Sequence, residues 1–525
     1  MEPHIRLLDC TLRDGGHINQ GRFGEVIIKN TLERLVEAGI DIIEAGFLWN
    51  QKCDIDTARY YTIEDVKKIL PKNTGKSSFS LMADFIDLEH LEPCDGTIEY
   101  IRLSFKRHRL EWGLKTARVL MNKGYKVFIN PVNCNVYTDK QYLEVLEKVN
   151  ELHPYGFSIV DTFGVMRVSD LSHIYYLVEN NLNKDITIGL HLHENLGLAF
   201  CLAQHFTKIA SPTRKIVIDC SLLGMGRVPG NLCIEQIMDY MNEQYGKGYA
   251  TEPVYDTIDD YIQPIKRTIE QPWGYAIPYA LSAKYNLHRT YAEYLMGKQR
   301  LKNKDIQRIL KLIERDKAEM FHEEYIEKIY CDYMNVEYDE KEDIHSLQEA
   351  LSHFNQILIL APGKSIIEKQ EKIRNIISQR TCVISVNFDP ECMGIFSDFI
   401  FLTNTKRYDS IKERKTDNAL IITSNLLRDI EHRNYTINYN SLVYFNEEYC
   451  DDSTLMLLNL LFRIGVNKVM IAGFDVHKDG KMNFFDENFD RKTNKPSKKE
   501  MIRKILDTVF VMMDIEFLTA SEYEF

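Results

Sequence analysis

The sequence predicts an α/β protein in which a (β/α)8 TIM barrel is followed by a helical appendage and then by a Rossmann-like α/β domain. Over the first 226 residues, eight short β-branched runs alternate with charged, helix-forming stretches. Between about residues 250 and 350 helical periodicity replaces this alternation, and strand-like runs return near residue 355. We therefore expect three domains, comprising residues 1–245, 246–352 and 353–525.

The eight N-terminal runs account for every strand of a closed barrel. They are HIRLLDC, IDIIEAGF, SSFSLMADF, EYIRLSFK, KVFINPVN, GFSIVDTFG, DITIGLHLHE and KIVIDCSLLGMG. Eight strand–helix units favour a closed barrel over an open doubly wound sheet, which more often stops at about five or six strands. Because the reactive groups of such barrels lie at the C-terminal ends of the strands, the polar residues that follow each run are the candidates for chemistry.

The remaining segments predict the other two domains. Helical periodicity is clear in YIQPIKRTI, IPYALSAKYNLHRTYAEYL and KDIQRILKLIERDKAEMF. Further strands are predicted from QILILAPGKSI, TCVISVNF, DFIFLTN, ALIITSN and VNKVMIAGFD, with a helix in STLMLLNLLFRIG.

Composition excludes several classes of function. The formal net charge is −12, so there is no basic surplus for binding nucleic acid, and a small anionic substrate would need a local positive site. No signal peptide and no apolar run of membrane-spanning length is present, so we expect a cytoplasmic protein without a membrane span. The 11 cysteines contain no CxxC pair, which indicates reduced thiols rather than disulfides or a zinc ribbon.

Two strand ends are rich in metal-binding side chains. The first run leads directly into Arg13, Asp14 and His17, and the seventh presents His191 and His193. The two-residue period of a strand places both imidazoles on one face, and Asp14 can complete a two-histidine, one-carboxylate site for a divalent ion. Mn²⁺ suits this set best, with Mg²⁺, Co²⁺ or Zn²⁺ as alternatives. Each motif alone has a simpler interpretation, as a hydrogen-bonded histidine pair and as a capped turn.

Together, LDCTLRDGGH, IIEAGF, GLHLHENLG and GMGRVPGN resemble the DRE-TIM metallolyase superfamily of aldolases and acyl transferases, over about residues 1–290. The resemblance implies that Asp14, His191 and His193 hold the metal and that Arg13 stabilises an enolate. Further positions that match the superfamily are Glu44, which holds that arginine, Asn231, a metal ligand in some members, and Thr162, beside the bound 2-oxo acid. Asn231 has the equally simple interpretation of a turn residue after Gly230.

His17 distinguishes the branches of this superfamily. The acyl-CoA synthases and the 3-hydroxy-3-methylglutaryl-CoA lyases typically have glutamine near this point, whereas the 4-hydroxy-2-oxovalerate aldolases have histidine. The segment WGYAIPYALSAKY is similar to the tyrosine-bearing segment with which those aldolases close the site. It suggests Tyr275 as a pocket residue or proton donor, with Tyr279 as the competitor and a buried helix-packing tyrosine as the simpler interpretation.

The resemblance therefore implies a carbon–carbon lyase that forms or cleaves a 4-hydroxy-2-oxo acid through the enolate of pyruvate, with an aldehyde as the second substrate. We expect His17 to take the proton of the hydroxyl group whose carbon becomes the aldehyde, near its ordinary pKa of about 6.5. A Claisen-type synthase acting on acyl-CoA and a 2-oxo acid is the alternative. Barrels of this superfamily commonly form homodimers.

The C-terminal domain adds a separate hypothesis. LILAPGKSI has the strand, turn and helix start that can bind a phosphate on backbone amides, although it lacks P-loop spacing. The order of segments faintly resembles bacterial sialyltransferase-like domains that bind nucleotide-activated sugars. Ser365 and Asp475 are the candidates for contact with a nucleotide or nucleotide-sugar. Such a bifunctional protein would suit surface polysaccharide biosynthesis with a sugar-like aldehyde, and a plain packing or oligomerisation domain is the alternative.

Overall fold

The structure is a computed structural model that describes residues 4–525, apart from 85–87, 134–135, 270–271, 413–417, 432–434, 446–448, 476–495, 522 and 524–525. The chain forms two compact units, Met1–Arg289 and Thr290–Phe525. The division into three domains with boundaries after residues 245 and 352 stays a prediction.

The first unit is a closed parallel barrel. Its strands are β1 (His4–Asp9), β2 (Ile42–Leu48), β3 (Arg59–Tyr60), β4 (Ser78–Asp84), β5 (Tyr100–Phe105), β6 (Lys126–Pro131), β7 (Gly156–Val160), β8 (Thr187–His191) and β9 (Lys215–Cys220). The order is β1-β9-β8-β7-β6-β5-β4-β2, and pairing of β1 with β2 closes the barrel. Each of the eight predicted runs contains one barrel strand, so the predicted TIM barrel is confirmed. The two-residue β3, which lies outside the ring and pairs with β2, was not predicted.

Helices pack around the barrel. In chain order they are α1 (Thr11–Asp14), α2 (Glu25–Glu37), α3 (Ile63–Lys67), α4 (Leu110–Asn122), α5 (Asp139–Leu152), α6 (Val168–Asn181), α7 (Ala199–Ile209), α8 (Ile234–Tyr245), α9 (Glu252–Thr257), α10 (Gln263–Thr268) and α11 (Ile277–Lys284). α5 begins with a capping box in which Thr138 and Gln141 satisfy each other's backbone amides. Apolar residues on the inner faces of the helices join one continuous core with alternate residues of the strands.

The other residues of the strands fill the barrel interior in layers. Leu8, Ile42, Tyr100, Phe128 and Val217 form a separate buried apolar cluster inside the barrel. Because side chains two positions apart on a strand share a face, the next interior residues of β2, β5 and β9 are Glu44, Arg102 and Asp219. The interior therefore changes from apolar to charged towards the C-terminal ends of the strands, where the site lies.

The second unit contains a separate parallel sheet, as predicted. Its strands are β10 (Gln356–Leu360), β11 (Thr381–Val386), β12 (Phe399–Leu402), β13 (Ala419–Thr423), β14 (Tyr435–Ile437), β17 (Lys468–Ala472) and β18 (Asp514–Phe517), and a hairpin is formed by β15 (Tyr444–Phe445) and β16 (Tyr449–Cys450). The sheet order is β14-β13-β12-β11-β10-β17-β18. The strand order reverses between β10 and β17, which is the switch point at which ligands of such sheets commonly bind.

The helices of the second unit begin with the part of the chain predicted to be helical. They are α12 (Thr290–Gly297), α13 (Asn303–Leu310), α14 (Glu323–Met334), α15 (Lys341–Ser352), α16 (Ser365–Glu368), α17 (Gln370–Ile376), α18 (Thr405–Lys412), α19 (Tyr439–Leu442), α20 (Ser453–Arg463) and α21 (Pro496–Met512). Within the described residues, no helix combines the length and the hydropathy needed to cross a bilayer.

Candidate metal centre

Three side chains meet at the C-terminal mouth of the barrel. Asp14 lies at the end of α1, directly after β1, and His191 and His193 lie at the end of β8 and just beyond it. One ligand atom from each residue lies within 4.8 Å of the others. The two imidazole rings are nearly perpendicular, at 88°, with centroids 4.8 Å apart. Three potential ligands from two distant parts of the chain therefore lie within reach of a single ion.

Hydrogen bonds orient both imidazoles for metal binding. His191 Nδ1 lies 2.9 Å from a carboxylate oxygen of Asp219, and His193 Nδ1 lies 2.9 Å from the carbonyl oxygen of Asp161. Because both partners can only accept, Nδ1 carries the proton in each ring and Nε2 keeps a lone pair. Burial lowers the pKa of His193 to about 3, so this ring is neutral at physiological pH. A histidine that donates from one nitrogen and presents the other is the usual arrangement of a metal ligand.

Asn231 completes the surroundings of Asp14. Its side-chain amide donates to Asp14 Oδ2 at 2.8 Å. Its carbonyl oxygen Oδ1 is buried and, among the described residues, has no hydrogen-bond partner. Because buried polar atoms are rarely left without a partner, an acceptor in this position fits a cation. The residues present, two imidazoles, a carboxylate and an amide oxygen, thus suit a divalent ion with N and O ligands.

A chain of buried charges links the candidate ligands to Arg13. Arg13 donates through Nε to Glu44 and through Nη1 to Asp14, both at 2.6 Å. Glu44 in turn accepts from Arg102 at 3.2 Å, and Arg102 donates to Asp219, the partner of His191. Burial raises the pKa of Asp14, but the charge of Arg13 opposes this effect, and the pKa of Asp14 lies well below its usual value. Asp14 is therefore ionised, as a metal ligand must be.

Sequence reasoning missed Arg102 and Asp219, which sit inside strands rather than after them. Both are almost completely buried. The available signal was a single charged residue within an otherwise apolar run, in EYIRLSF and in KIVIDC. A buried charge in a strand needs a partner, so the two runs together could have indicated an ion pair.

His17 lies at the rim of this cluster. Its Nε2 is 4.0 Å from Asp14 Oδ1, and its ring contacts Phe47 edge-on, with centroids 5.3 Å apart. The side chain keeps 38% of its surface exposed. Desolvation at the barrel mouth lowers the pKa of His17 to about 4, and the charges of Arg227 and Arg13 contribute to the decrease. The lowered pKa differs from the ordinary value expected from the sequence, because the sequence did not reveal how strongly the barrel mouth desolvates this ring.

The other predicted site residues lie around the mouth at varying depth. Thr162 follows β7, and its hydroxyl accepts a hydrogen bond from the amide of Asn133 at 2.7 Å. Tyr275 is exposed and lies beside Gly197, in the loop that follows His193. Tyr279, one turn further on, is buried in α11. Tyr275 is therefore the accessible member of the pair.

Ser365 and Asp475 meet at the switch point of the second unit. Asp475 accepts hydrogen bonds from the amide nitrogen of Ser365 at 2.8 Å and from its hydroxyl group. A nucleotide phosphate placed at this turn would compete with the carboxylate for the same amide. The proposed contact of these two residues with a nucleotide stays a prediction.

Comparison with known proteins identifies relatives of the barrel. Residues 114–259 match the HMGL-like family model. A 4-hydroxy-2-oxovalerate aldolase of Marinomonas sp. is 24% identical over 282 residues, covering 52% of this chain and 80% of the aldolase. A 2-isopropylmalate synthase of Gloeothece citriformis is 26% identical over 275 residues, covering 48% of this chain and 49% of the synthase.

Among solved structures, the HMG-CoA lyase from Brucella melitensis is similar, with 15% identity and a TM-score of 0.41, covering 50% of this chain and 99% of the lyase. The family model and the aldolase relatives confirm the resemblance of the barrel to the DRE-TIM superfamily and support an enzyme. The relatives include both aldolases and synthases.

Proposed function

Since the barrel carries the features of the DRE-TIM metallolyases, we propose that it is a divalent-metal-dependent aldolase that forms or cleaves a 4-hydroxy-2-oxo acid through the enolate of pyruvate. The observation that carries this proposal is His17, placed 4.0 Å from Asp14 at the rim of the candidate metal centre. A base at this position can reach a hydroxyl group next to the bond that breaks. The aldolase branch has histidine here, whereas the synthase branch typically has glutamine.

The candidate ligands Asp14, His191 and His193, with Asn231 beside them, would hold the ion. When bound, a divalent cation supplies positive charge to the carboxylate and the ketone oxygen of the 2-oxo acid, and Mn²⁺ is the proposed metal. Arg13 supplies a second positive group. Its Nε and Nη1 are already bound to Glu44 and Asp14, so its Nη2 is the group that would donate to the enolate oxygen.

His17 has the protonation state that a base requires. With a pKa of about 4, its imidazole is neutral at pH 7 and can accept the proton of the C4 hydroxyl as the C3–C4 bond breaks. In the synthetic direction the resulting imidazolium returns that proton to the new alkoxide. Thr162, in the loop after β7, and Tyr275, at the exposed rim, are proposed to contact the substrate.

Exchange of the methyl protons of pyruvate tests the proposal without knowledge of the aldehyde. Full-length protein is stripped of metal, supplied with Mn²⁺ and incubated with pyruvate in D₂O, and loss of the methyl signal is followed by proton NMR. We expect exchange that requires added metal, because enolate formation releases a methyl proton to solvent. Absence of exchange with Mn²⁺, Mg²⁺, Co²⁺ and Zn²⁺ alike would overturn the proposal.

A Claisen-type synthase is the second candidate, favoured by the relatives that are 2-isopropylmalate synthases. Such an enzyme would condense acyl-CoA with a 2-oxo acid and release the free thiol of coenzyme A. A thiol-specific colour reagent, with acetyl-CoA and pyruvate or 2-oxoisovalerate as substrates, detects that release. Thiol release without any pyruvate exchange would favour the synthase over the aldolase.

For the second unit, binding of a nucleotide or nucleotide-sugar remains our proposal, together with a role in surface polysaccharide biosynthesis. It is supported by the position of Ser365 and Asp475 at the switch point of a parallel sheet. Protection of the full-length protein against thermal unfolding by nucleoside diphosphates tests it.

A further inference from the structure

Asn130 is a buried amide in the barrel interior that the candidate metal centre does not use. It is the next-to-last residue of β6, and only 3% of its surface is exposed. Phe128, two residues earlier, belongs to the apolar cluster inside the barrel, so Asn130 also points inwards. Its carbonyl oxygen Oδ1 is buried and has no hydrogen-bond partner among the described residues. Because an unpaired buried acceptor costs stability, this amide needs an explanation.

The pairing of the strands places Asn130 in the same layer of the barrel as His191. Residues paired across β5 to β9 lead from Arg102 to Lys215, yet Arg102 donates to Asp219, four residues further along β9. The interior layer therefore climbs by one residue for each of the four strands crossed, as the stagger of a closed barrel requires. Over the two strands from β6 to β8, the same climb leads from Asn130 to His191. Residues of alternate strands that share a layer surround the barrel axis, so Asn130 lies beside this candidate metal ligand.

Two further buried polar atoms lack a partner within the described part of the chain: Nε of Arg102 on β5 and the hydroxyl oxygen of Ser158 on β7. Both side chains point into the barrel. Arg102 reaches Asp219 across the interior, and a Cβ on Gly189 would lie 2.4 Å from Ser158 Oγ. Asn130 lies on the strand between them, and we call the three residues the inner polar set. Since its members do not pair with one another, a molecule bound among them is needed to satisfy them.

A molecule that satisfies the inner polar set must both donate and accept hydrogen bonds. Nε of Arg102 only donates and Oδ1 of Asn130 only accepts, whereas a hydroxyl group does both. Pyruvate offers acceptors alone, and the proposed ion and Arg13 already account for its carboxylate and its ketone. The C4 hydroxyl is the group assigned to His17. The inner polar set therefore fits one more hydroxyl group than the proposed reaction has used.

We propose that the aldehyde substrate carries a hydroxyl group on the carbon next to its aldehyde carbon, and that this hydroxyl group binds to Asn130 and Ser158. This inference rests on the proposed aldolase function. In the reaction, the methyl carbon of pyruvate loses a proton to solvent and bonds to the aldehyde carbon, and the aldehyde oxygen takes its proton from His17. The added hydroxyl group forms and breaks no covalent bond, so that no oxidant or reductant is needed.

Water has the same donors and acceptors as a hydroxyl group and is the alternative occupant of this place. The two differ in their effect on specificity. An internal water serves every aldehyde equally, whereas a site that binds a substrate hydroxyl group discriminates against an analogue that lacks it, because buried polar groups are then left unpaired. The choice of aldehyde therefore distinguishes them.

Matched aldehydes test the inference on the Mn²⁺-loaded, full-length protein with pyruvate. Glycolaldehyde is compared with propanal, and lactaldehyde with 2-methylpropanal, so that a methyl group replaces the hydroxyl group in each pair. The kcat/KM values are expressed per free, unhydrated aldehyde. We expect the hydroxylated member of each pair to be preferred by about 10-fold or more, the effect of leaving one buried polar group unpaired.

Substitutions assign the preference to the inner polar set. Asn130→Leu keeps a similar size without hydrogen-bonding groups and should reduce the ratio of hydroxylated to apolar aldehyde by about 10-fold. Ser158→Ala removes a single oxygen atom and should change the ratio in the same direction, which keeps the test valid if Asn130→Leu fails to fold. Asn242, in the outer helix α8, donates to the carbonyl oxygen of Tyr249 and accepts from its amide, both at 2.8 Å. Asn242→Leu is the control and should leave the ratio unchanged.

Thermal unfolding separates a ligand contact from a structural one. Replacing an unpaired buried amide removes a cost, so Asn130→Leu should not lower the midpoint of unfolding. Asn242→Leu breaks two hydrogen bonds and should lower it by about 2–4 °C. An equal decrease in the two variants would show that the protein or an internal water already satisfies Asn130, and would overturn the inference.

The outcomes distinguish this inference from the proposed function. Pyruvate exchange without any preference for hydroxylated aldehydes would overturn the inference and leave the aldolase proposal standing. If exchange is absent, saturation-transfer NMR with glycolaldehyde on the Mg²⁺-loaded protein tests the inner polar set directly. A signal that Asn130→Leu loses and Asn242→Leu keeps would support the inference. No signal, or an equal signal from all three proteins, would overturn it.

Discussion

The molecule has two places where the C-terminal ends of parallel strands meet, and they differ in what they leave for a ligand. At the barrel mouth, the imidazoles of His191 and His193 keep a lone pair and Asn231 keeps a buried oxygen. At the switch point of the second sheet, Asp475 already accepts the amide and hydroxyl of Ser365. The barrel mouth therefore has free polar groups ready for a metal ion, whereas a phosphate at the switch point would have to displace Asp475 from the amide of Ser365.

Both places depend on close approach at a glycine. A Cβ on Gly226 would lie 2.2 Å from Asn231 Nδ2 and 2.6 Å from Asp14 Oδ2. A Cβ on Gly363 would lie 2.2 Å from the carbonyl oxygen of Gly473 and 2.7 Å from Asp475 Oδ2. In the barrel the missing side chain makes room for the candidate ligands, whereas in the second sheet it allows two loops to close on each other.

The largest effect should follow from removing a candidate ligand at the mouth. Asp14→Asn takes away the carboxylate and should lower metal content to near zero. Activity should fall at least about 1000-fold, since a bound cation contributes several kcal/mol. Metal analysis and the pyruvate exchange assay measure both. Asp139→Asn, at an exposed carboxylate on α5, is the control. If the Asp14→Asn protein kept its full metal content, Asp14 would not be a metal ligand, and the proposed difference between the barrel mouth and the switch point would be contradicted.

His17→Asn should separate proton transfer from metal binding. Aldol cleavage should fall by about 100-fold to about 10,000-fold, the usual contribution of a positioned base, with metal content unchanged. Decarboxylation of oxaloacetate, which has no C4 hydroxyl to deprotonate, should be affected much less. Coupling pyruvate release to lactate dehydrogenase follows both reactions. Equal losses in both would mean that His17 is not this base.

Two buried arginines give a matched pair within the barrel. Arg102 binds Glu44 and Asp219 beside the site, whereas Arg214 binds Glu179 away from it. Leucine at either position should lower the free energy of unfolding by about 3–5 kcal/mol, because a buried carboxylate loses one of its hydrogen-bond partners. Only Arg102→Leu should also weaken metal binding, by about 10-fold to about 100-fold, through Asp219 and His191.

Denaturant unfolding and metal titration measure these two quantities separately. If Arg214→Leu weakened metal binding equally, the chain of charges from Arg13 to His191 would have no special role in orienting the site.

The smallest effect is expected at the switch point. Ser365→Ala removes a hydroxyl that donates to Asp475 and should cost about 1 kcal/mol of stability. Because the amide of Ser365 still occupies the carboxylate, we expect no gain in phosphate binding and no change in pyruvate exchange. Thermal unfolding and phosphate titration measure the outcome. If the unsubstituted protein bound phosphate and the Ser365→Ala variant did not, the hydroxyl of Ser365 would be a ligand contact. The switch point would then, like the barrel mouth, offer polar groups to a ligand.

The sequence was sufficient for the regular parts of the fold. All eight barrel strands were predicted, since each is a buried apolar run of five to seven residues followed by a helix. The described strands that were missed, β3, β14, β15, β16 and β18, have only two to four residues each, too few for a clear period. The same two-residue period placed His191 and His193 on one face, and Asp14, which follows the first strand, was the carboxylate expected to complete the site.

Only the tertiary structure determined how these residues are supported and what surrounds them. The link from Arg13 through Glu44 and Arg102 to Asp219 joins four positions spread over more than 200 residues. Sequence periods describe which side chains share a face of one element. Which charged side chains become neighbours depends on which strands lie side by side, and the closure of the barrel determines that order.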